Sequence, residues 1–345
     1  MKAAVLTGIR KVEIHDVPDP EIRAKDDVLL KVGAIGLCGS DVHYYKEGRI
    51  GDQVVRFPFT VGHECSAIVV KTGSDVSRLK PGDRVAVDPA VVCGRCDQCL
   101  DGRPNTCRRL TFLGTPGQLA GCLSEFIVMP EHNCHPLNED MTMEEGVLVE
   151  PLSIALHSLK LLNGPVPVRI AVLGAGPIGL SVLLAALSAG AGRVYMTDKI
   201  TPRLDAAGRA GAAWTGNPQE SDIVGEILSR EHAGLDAVFE CCGDPAALDQ
   251  AIDLLKPGAS LSIIGIPGEE RVSFDIHKLR RKELSVHNVR RQRHCFAEAV
   301  HLIKSKTIDV RFMATHVFCL AEAPRAFDLA AGYLDGVIKA VILNT

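Results

Sequence analysis

Gly174-Ala175-Gly176-Pro177-Ile178-Gly179 stands between an unbroken apolar run, Arg169–Leu173, and a stretch of helical spacing, Pro177–Ser188. This feature constrains the fold most. A buried strand that turns directly into a helix through glycines is the opening of a βαβ unit, because the glycines permit the tight turn and close helix–strand packing. The rhythm continues. Arg193–Thr197 reads as a second strand, Ala206–Gly211 lies on a helix, and Ala237–Cys242 and Ser260–Gly265 read as further strands. Strands alternating with helices require a parallel sheet. The uncharged run Ile170–Gly192 is long enough to resemble a membrane span, but Gly174, Gly176, Pro177 and Gly179 break it, and strand–turn–helix explains it better.

The region before about Val168 has a different texture. Short apolar runs at Val28–Val32, Ser66–Val70, Arg84–Val87 and Glu125–Val128 alternate with turns such as Lys80-Pro81-Gly82-Asp83, the pattern of a mainly β domain. After Leu284–Val289 come a helix, Phe296–Lys304, and strand-like Thr315–Phe318 and Lys339–Leu343. That tail is too short to bury a core alone and is expected to pack on the first domain. A chain of 345 residues has room for two domains, and no repeat of solenoid length is present.

Twelve cysteines in so long a chain argue against a disulfide scaffold, and Met1–Leu6 reads as a strand rather than a signal peptide. A cytoplasmic protein with reduced thiols is expected, in which clustered cysteines mean metal. The net charge of −4 gives no reason to expect nucleic acid or an anionic membrane as partner.

Cys93, Cys96, Cys99 and Cys107 follow C-x2-C-x2-C-x7-C. Four such thiolates can surround one ion tetrahedrally, with Gly94 and Gly102 letting the chain curl, and nothing between them offers an open position. The site reads as structural. Iron–sulfur ligation shares this kind of spacing, but the context favours zinc. Elsewhere Gly36-Leu37-Cys38-Gly39-Ser40-Asp41 places a thiol between glycines beside a hydroxyl, and Gly62-His63-Glu64 puts an imidazole and a carboxylate at a turn before a strand. With Glu150, these are mixed sulfur, nitrogen and oxygen donors of the kind that hold zinc and leave room for water or substrate. Asp198 follows the second βαβ strand, nineteen residues after Gly179. A carboxylate there accepts hydrogen bonds from a ribose 2′-OH and repels a 2′-phosphate, which favours NAD over NADP, although Lys199 and Arg203 could soften that repulsion.

Together these segments resemble the zinc-containing medium-chain dehydrogenase/reductase family, and most closely its sorbitol (polyol) dehydrogenase branch. The resemblance rests on Gly36–His43 (GLCGSDVH), Gly48–Gly51 (GRIG), Gly62–Glu64 (GHE), Pro81–Val85 (PGDRV), the cysteine lobe, Glu150–Ser153 (EPLS) and Gly174–Gly179 (GAGPIG), in order along nearly the whole chain. It implies an α/β chain: a GroES-like, mainly β catalytic domain over residues 1–152 and 292–345, and a Rossmann, doubly wound parallel-sheet cofactor domain over 153–291. It implies two zinc ions per chain. The catalytic ion is held by Cys38, His63 and a glutamate, with Glu64 the usual ligand of the branch and Glu150 nearby, often acting through water. Cys93, Cys96, Cys99 and Cys107 hold the second. NAD is expected on Gly174, Gly176, Pro177, Ile178, Gly179, Asp198, Lys199 and Arg203. The resemblance further implies a proton relay from Ser40 through the cofactor ribose to His43, and a substrate pocket including Tyr44, Phe112 and Arg291.

Two departures stand out. Ala67 replaces a usual glycine and is expected only to tighten a turn, and Gln292 replaces an aromatic after Arg291, which puts the substrate profile in question. The expected reaction is oxidation of sorbitol, xylitol or a similar polyol to the ketose. Threonine, butanediol or another secondary alcohol is the alternative, and a non-catalytic zinc and nucleotide-binding protein a remote one. Relatives form homodimers or homotetramers, and the same is expected here.

Overall fold

The structure is a computed structural model and describes residues 1–344. The chain divides into two compact units, Met1–Glu150 with Phe296–Thr345, and Pro151–Cys295. The crossings fall at 150/151 and 295/296, a few residues from the 152/153 and 291/292 that the family resemblance implied. The first crossing lies inside one helix, Val149–Lys160, so no change of composition marks it.

The first unit is built on a seven-stranded sheet. Its order is Cys134–Pro136, Arg84–Val87, Glu64–Thr72, Asp27–Gly36, Lys339–Leu343 and Ala314–Cys319, with Phe126–Pro130 paired beside Asp27–Gly36. The C-terminal strand Lys339–Leu343 runs antiparallel to the ten-residue strand Asp27–Gly36, with Ile342 opposite Ile35 and Val341 opposite Gly36. The tail thus completes the first domain's sheet, as its length required. On the other side of Asp27–Gly36, Gly36 lies opposite Glu64, so this register brings residues 36, 64 and 341 into one row. The apolar faces bury Val28, Leu30, Val32, Ile35, Val85, Val87 and Ile342 in a single core that also takes in Phe327. Ala67, expected at a turn, is instead fully buried within Glu64–Thr72, opposite Val32 on one side and Val85 on the other. A β carbon there adds packing to a central strand, where glycine would have weakened it.

The second unit is a six-stranded sheet in which every pairing is parallel. Numbering its strands within the unit by chain order (Arg169–Leu173, Arg193–Thr197, Trp214–Gly216, Leu235–Glu240, Leu255–Ile263, Ser285–Asn288), the spatial order is 3-2-1-4-5-6. This is a doubly wound sheet that reverses direction between the strands Arg169–Leu173 and Leu235–Glu240, the place where such sheets bind ligands. The run Ile170–Gly192 is a strand, a turn and the helix Pro177–Ser188. Among the described residues no helix is long and apolar enough to cross a membrane.

At the opposite ends of these strands Arg169 and Lys256 both engage Asp236. Two side-chain nitrogens and the backbone N–H of Arg169 donate to its carboxylate, and Lys256 pairs with it as well. Burial works to raise the Asp236 pKa, but Arg169 and Lys256 hold it well below the ordinary carboxylate value. A depressed pKa contributes stability that is present above the unfolded value, near 4, and is lost as pH falls toward the folded one. Asp236→Asn is therefore expected to cost about 2 kcal/mol at neutral pH, with the gap to the parent narrowing below about pH 3. Calorimetric melting across that range checks it; an equal gap at all pH values would remove Asp236 from the acid response.

Candidate active site and cofactor turn

The strand Asp27–Gly36 ends in Leu37 and Cys38, and Cys38 caps the helix Gly39–Glu47. The third residue of that helix, Asp41, is fully buried and turns back on the cap. One of its oxygens accepts the backbone N–H of Cys38 at 3.0 Å and the other accepts that of Gly62, also at 3.0 Å. The second oxygen also lies 3.5 Å from Nδ1 of His63. A single carboxylate thus ties together two loops far apart in sequence and orients the imidazole. Gly62 occupies φ +99°, a backbone region that side chains disfavour, and a β carbon there would press on Leu123 and Cys122.

The consequence is a donor cluster. The Cys38 sulfur, a ring nitrogen of His63 and a carboxylate oxygen of Glu64 all lie within 4.8 Å of one another. Burial opposes a charged His63, yet Asp41 and the Cys38 sulfur hold its pKa well above the ordinary value. Lys339, only 2% exposed, donates from Nζ to Glu64 Oε2 at 2.5 Å and to the carbonyl of Leu37 at 3.1 Å. Glu150, in the first turn of Val149–Lys160, is buried beside this group; burial, opposed by His63 and reinforced by the negative charge of Glu64, leaves its pKa raised to about 7. Thiol, imidazole and carboxylates gathered in a buried, cation-seeking pocket fit zinc, and the three-membered set leaves a fourth position open. Glu64 is in the tight set and Glu150 is not.

Ser40 and His43 are three residues apart on the helix Gly39–Glu47 and share a face. Burial, then Lys46, lowers the His43 pKa. Phe112 packs its ring on His63 with centroids 5.4 Å apart. Tyr44 is buried and donates its hydroxyl to Gln53 at 2.9 Å. Arg291 lies in the second unit, half-buried and at φ +54°, and the neighbouring Gln292 uses its side-chain carbonyl to accept the Cys295 N–H at 2.8 Å. Gln292 therefore ties down its own loop.

The four lobe cysteines bring their sulfurs within 4.8 Å of one another. Gly94 and Gly102 take φ +65° and +71°, the left-handed curl the spacing demanded. Backbone N–H groups of Cys93 and Arg109 point at the Cys107 sulfur, each at 3.4 Å. The N–H of Arg95 draws the Cys93 thiol down to about 6, while burial pushes Cys99 up to about 12. Four sulfurs this close cannot all ionise without a cation among them, which is the chemistry of a closed zinc site.

In the second unit Gly174 takes φ +104° at the sheet's reversal point, and a β carbon on it would meet Cys242 Cβ at 3.0 Å. A β carbon on Gly179 would drive into the Gly174 carbonyl. Gly176 caps the helix and Pro177 occupies its first turn, leaving the next backbone N–H groups unpaired within the helix and available to an anion. Asp198 lies just past the strand Arg193–Thr197, its oxygens accepting the N–H groups of Ala175 at 2.6 Å and Ile200 at 2.9 Å. Lys199 pairs with Asp244 at 2.7 Å, which reduces its pull on a 2′-phosphate. Arg203 is buried with Nη1 3.5 Å from where a Gly176 β carbon would stand.

Two residues of the site, Asp41 and Lys339, were not anticipated from the sequence pattern. Asp41 lies inside the GLCGSDVH segment, where nothing local gives it a role. Lys339 leaves a usable signal, a lone cation inside the apolar run Val337–Leu343.

These features, a zinc-type donor set in one unit and a dinucleotide turn in the other, define a metal-dependent oxidoreductase. Residues 24–139 match the model of the alcohol dehydrogenase GroES-like domain, and residues 177–305 that of the zinc-binding dehydrogenases. A sorbitol dehydrogenase of Bacillus subtilis is 35% identical over 343 residues, covering 99% of this chain and 97% of its own. A D-xylulose reductase A of Aspergillus oryzae is 35% identical, covering 94% and 91%. A crystal structure of a candidate zinc-binding dehydrogenase from Sinorhizobium meliloti, bound to NADP, superimposes with TM-score 0.90 at 30% identity, covering 99% and 98%. The chain belongs to the zinc-containing medium-chain dehydrogenase/reductase family, in its polyol dehydrogenase branch.

Asp41→Asn is expected to lower metal affinity at the Cys38–His63 site 10- to 100-fold, because groups that orient a metal-bound histidine have effects of about that size. Metal retention during dialysis against graded chelator measures it, and retention equal to the parent's would show that Asp41 only packs.

Proposed function

We propose that this enzyme oxidises one secondary hydroxyl of a polyol such as sorbitol or xylitol to the ketone, using zinc and NAD. The observation that carries the reading is the three-membered donor set Cys38, His63 and Glu64, its ligand atoms within 4.8 Å and one short of a tetrahedral shell. Bound zinc supplies Lewis acidity toward a hydroxyl oxygen and bound NAD supplies the hydride acceptor. Cys38, His63 and Glu64 would hold the metal, with Glu150 beside them to hydrogen-bond the substrate or a water. Cys93, Cys96, Cys99 and Cys107 would hold the structural ion.

The chain's own residues do the rest. Asp41 fixes the imidazole, and Phe112 covers one side of it against water. Oxidation releases a proton, and Ser40 and His43, on one helix face, carry it outward. Burial keeps His43 below its ordinary pKa, so the imidazole is neutral at physiological pH and able to accept. Tyr44 and Arg291 remain proposed substrate contacts. On the cofactor side each Asp198 oxygen already accepts one N–H and retains a lone pair for a ribose hydroxyl, while its charge repels a 2′-phosphate.

A panel of sugar alcohols, threonine and butanediol, assayed with NAD and with NADP alongside metal analysis, tests the reading. The expected outcome is highest kcat/KM on a polyol with NAD and about two zinc ions per chain. Preference for threonine or butanediol would move the protein to the alternative, and no turnover at all would overturn it.

A further inference from the structure

A fully buried lysine whose ammonium contacts a metal-site carboxylate requires an explanation, because an unpaired buried cation is among the costliest groups a core can hold. Lys339 sits on the C-terminal strand, within the core of the first unit. Its Nζ bridges Glu64 and the carbonyl of Leu37, the residue preceding Cys38, so one ammonium touches the backbone of one ligand loop and the side chain of the other. The space for this contact is made by Gly36. A β carbon there would collide with Glu64 Oε2 and Val147, and would stand 3.3 Å from Lys339 Cδ. Register puts the glycine there, opposite Glu64 on one side and Val341 on the other.

The charge count points the same way. Cys38, Asp41, Glu64 and Glu150 are four acidic groups in one buried neighbourhood. A divalent ion leaves that set anionic, and Lys339 supplies a further positive charge. We propose that Lys339 is a positioning residue that shares Glu64 with the metal, holding one carboxylate oxygen in place and acting as a built-in cation that keeps the acidic cluster folded before metal arrives. The inference rests on the zinc reading of the site. Two cations drawn to one carboxylate oppose each other, so metal and Lys339 are antagonistic for Glu64 and cooperative only in neutralising the cluster.

Lys339→Met keeps length and removes charge. Two measurements test the proposal. With metal stripped, thermal melting is expected to place Lys339→Met several degrees below the parent, and Lys339→Met/Glu64→Gln, in which both charges are gone, closer to the parent than Lys339→Met alone. With zinc titrated against a chromophoric chelator, Lys339→Met is expected to bind at least tenfold more tightly than the parent, because Glu64 is no longer shared. A lysine that merely packs would lower melting equally with and without metal and leave zinc affinity unchanged; either that pattern or weaker zinc binding in Lys339→Met overturns the proposal. If the parent itself takes up no metal at Cys38 and His63, the zinc reading fails, and the metal-free comparison still decides whether Lys339 neutralises the cluster. If Lys339→Met does not fold, the double variant decides the matter: recovery of folding supports the proposal, and failure to fold there too, with Glu64→Gln alone folding normally, contradicts it.

Discussion

His63→Ala is expected to reduce kcat/KM at least a thousandfold and to lower the metal content from about two ions to one per chain. The magnitude follows from the chemistry. Lewis-acid activation of a hydroxyl contributes several kcal/mol, and each ~1.4 kcal/mol is a factor of ten in rate. In this site the imidazole is held by Asp41 and covered by Phe112, and no other histidine belongs to the donor set among the described residues. The lobe of Cys93, Cys96, Cys99 and Cys107 is a separate group of donors, so its ion should stay. Metal analysis of the purified variant, together with polyol oxidation under saturating NAD, is the measurement. A variant that keeps both ions and a tenth of the parent rate would show that His63 is not a ligand. Cys38→Ser should behave alike but less severely, since a hydroxyl is a weaker donor than a thiolate.

Cys107→Ser is expected to remove the other ion and to act on stability instead of chemistry. Cys107 is the most buried of the four lobe cysteines, and its sulfur accepts two backbone N–H groups. The rest of the lobe has little apolar core, and its two helical pieces, Asp97–Leu100 and Pro104–Thr106, bury no residue. Metal binding is therefore most of what folds it. A loss of about 3–5 kcal/mol is expected, which for a unit of this size lowers melting by on the order of 10 °C. Calorimetry with and without added zinc checks this, and the surviving folded fraction should retain kcat within a few-fold of the parent. Unchanged melting with two ions still bound would refute a structural metal in the lobe.

Much of the architecture was legible because local rules and tertiary outcome agree here. Arg169–Leu173, Pro177–Ser188, Arg193–Thr197, Phe296–Lys304 and Lys339–Leu343 have the bounds the apolar pattern set. Where bounds moved, pairing moved them. Ser66–Val70 grew into Glu64–Thr72 because strands on both sides offer partners for the extra residues. Ala237–Cys242 became Leu235–Glu240, its end set where Glu240 accepts the N–H groups of Cys242 and Gly243 and bends the chain. The turn expected at Ala67 came from the family's glycine and ran against the apolar run Ser66–Val70 that contains it; pairing with Val32 and Val85 decided for the strand.

The sequence by itself determined the chemistry on offer: four thiols at metal spacing, a glycine turn between strand and helix, and the thiol, imidazole and carboxylates of Cys38, His63, Glu64 and Glu150. Those are properties of residue type and short-range spacing, governed by backbone freedom and donor identity. Only the tertiary structure decided which of these groups meet. Strand register brings the Lys339 strand beside Gly36 and Glu64, and the buried Asp41 carboxylate fastens the Cys38 and Gly62 loops together. It also placed Glu64, but not Glu150, in the tight donor set. The physical reason is that a buried charge must find its partner wherever the fold supplies one, and for Glu64 that partner comes from a strand 275 residues further along the chain.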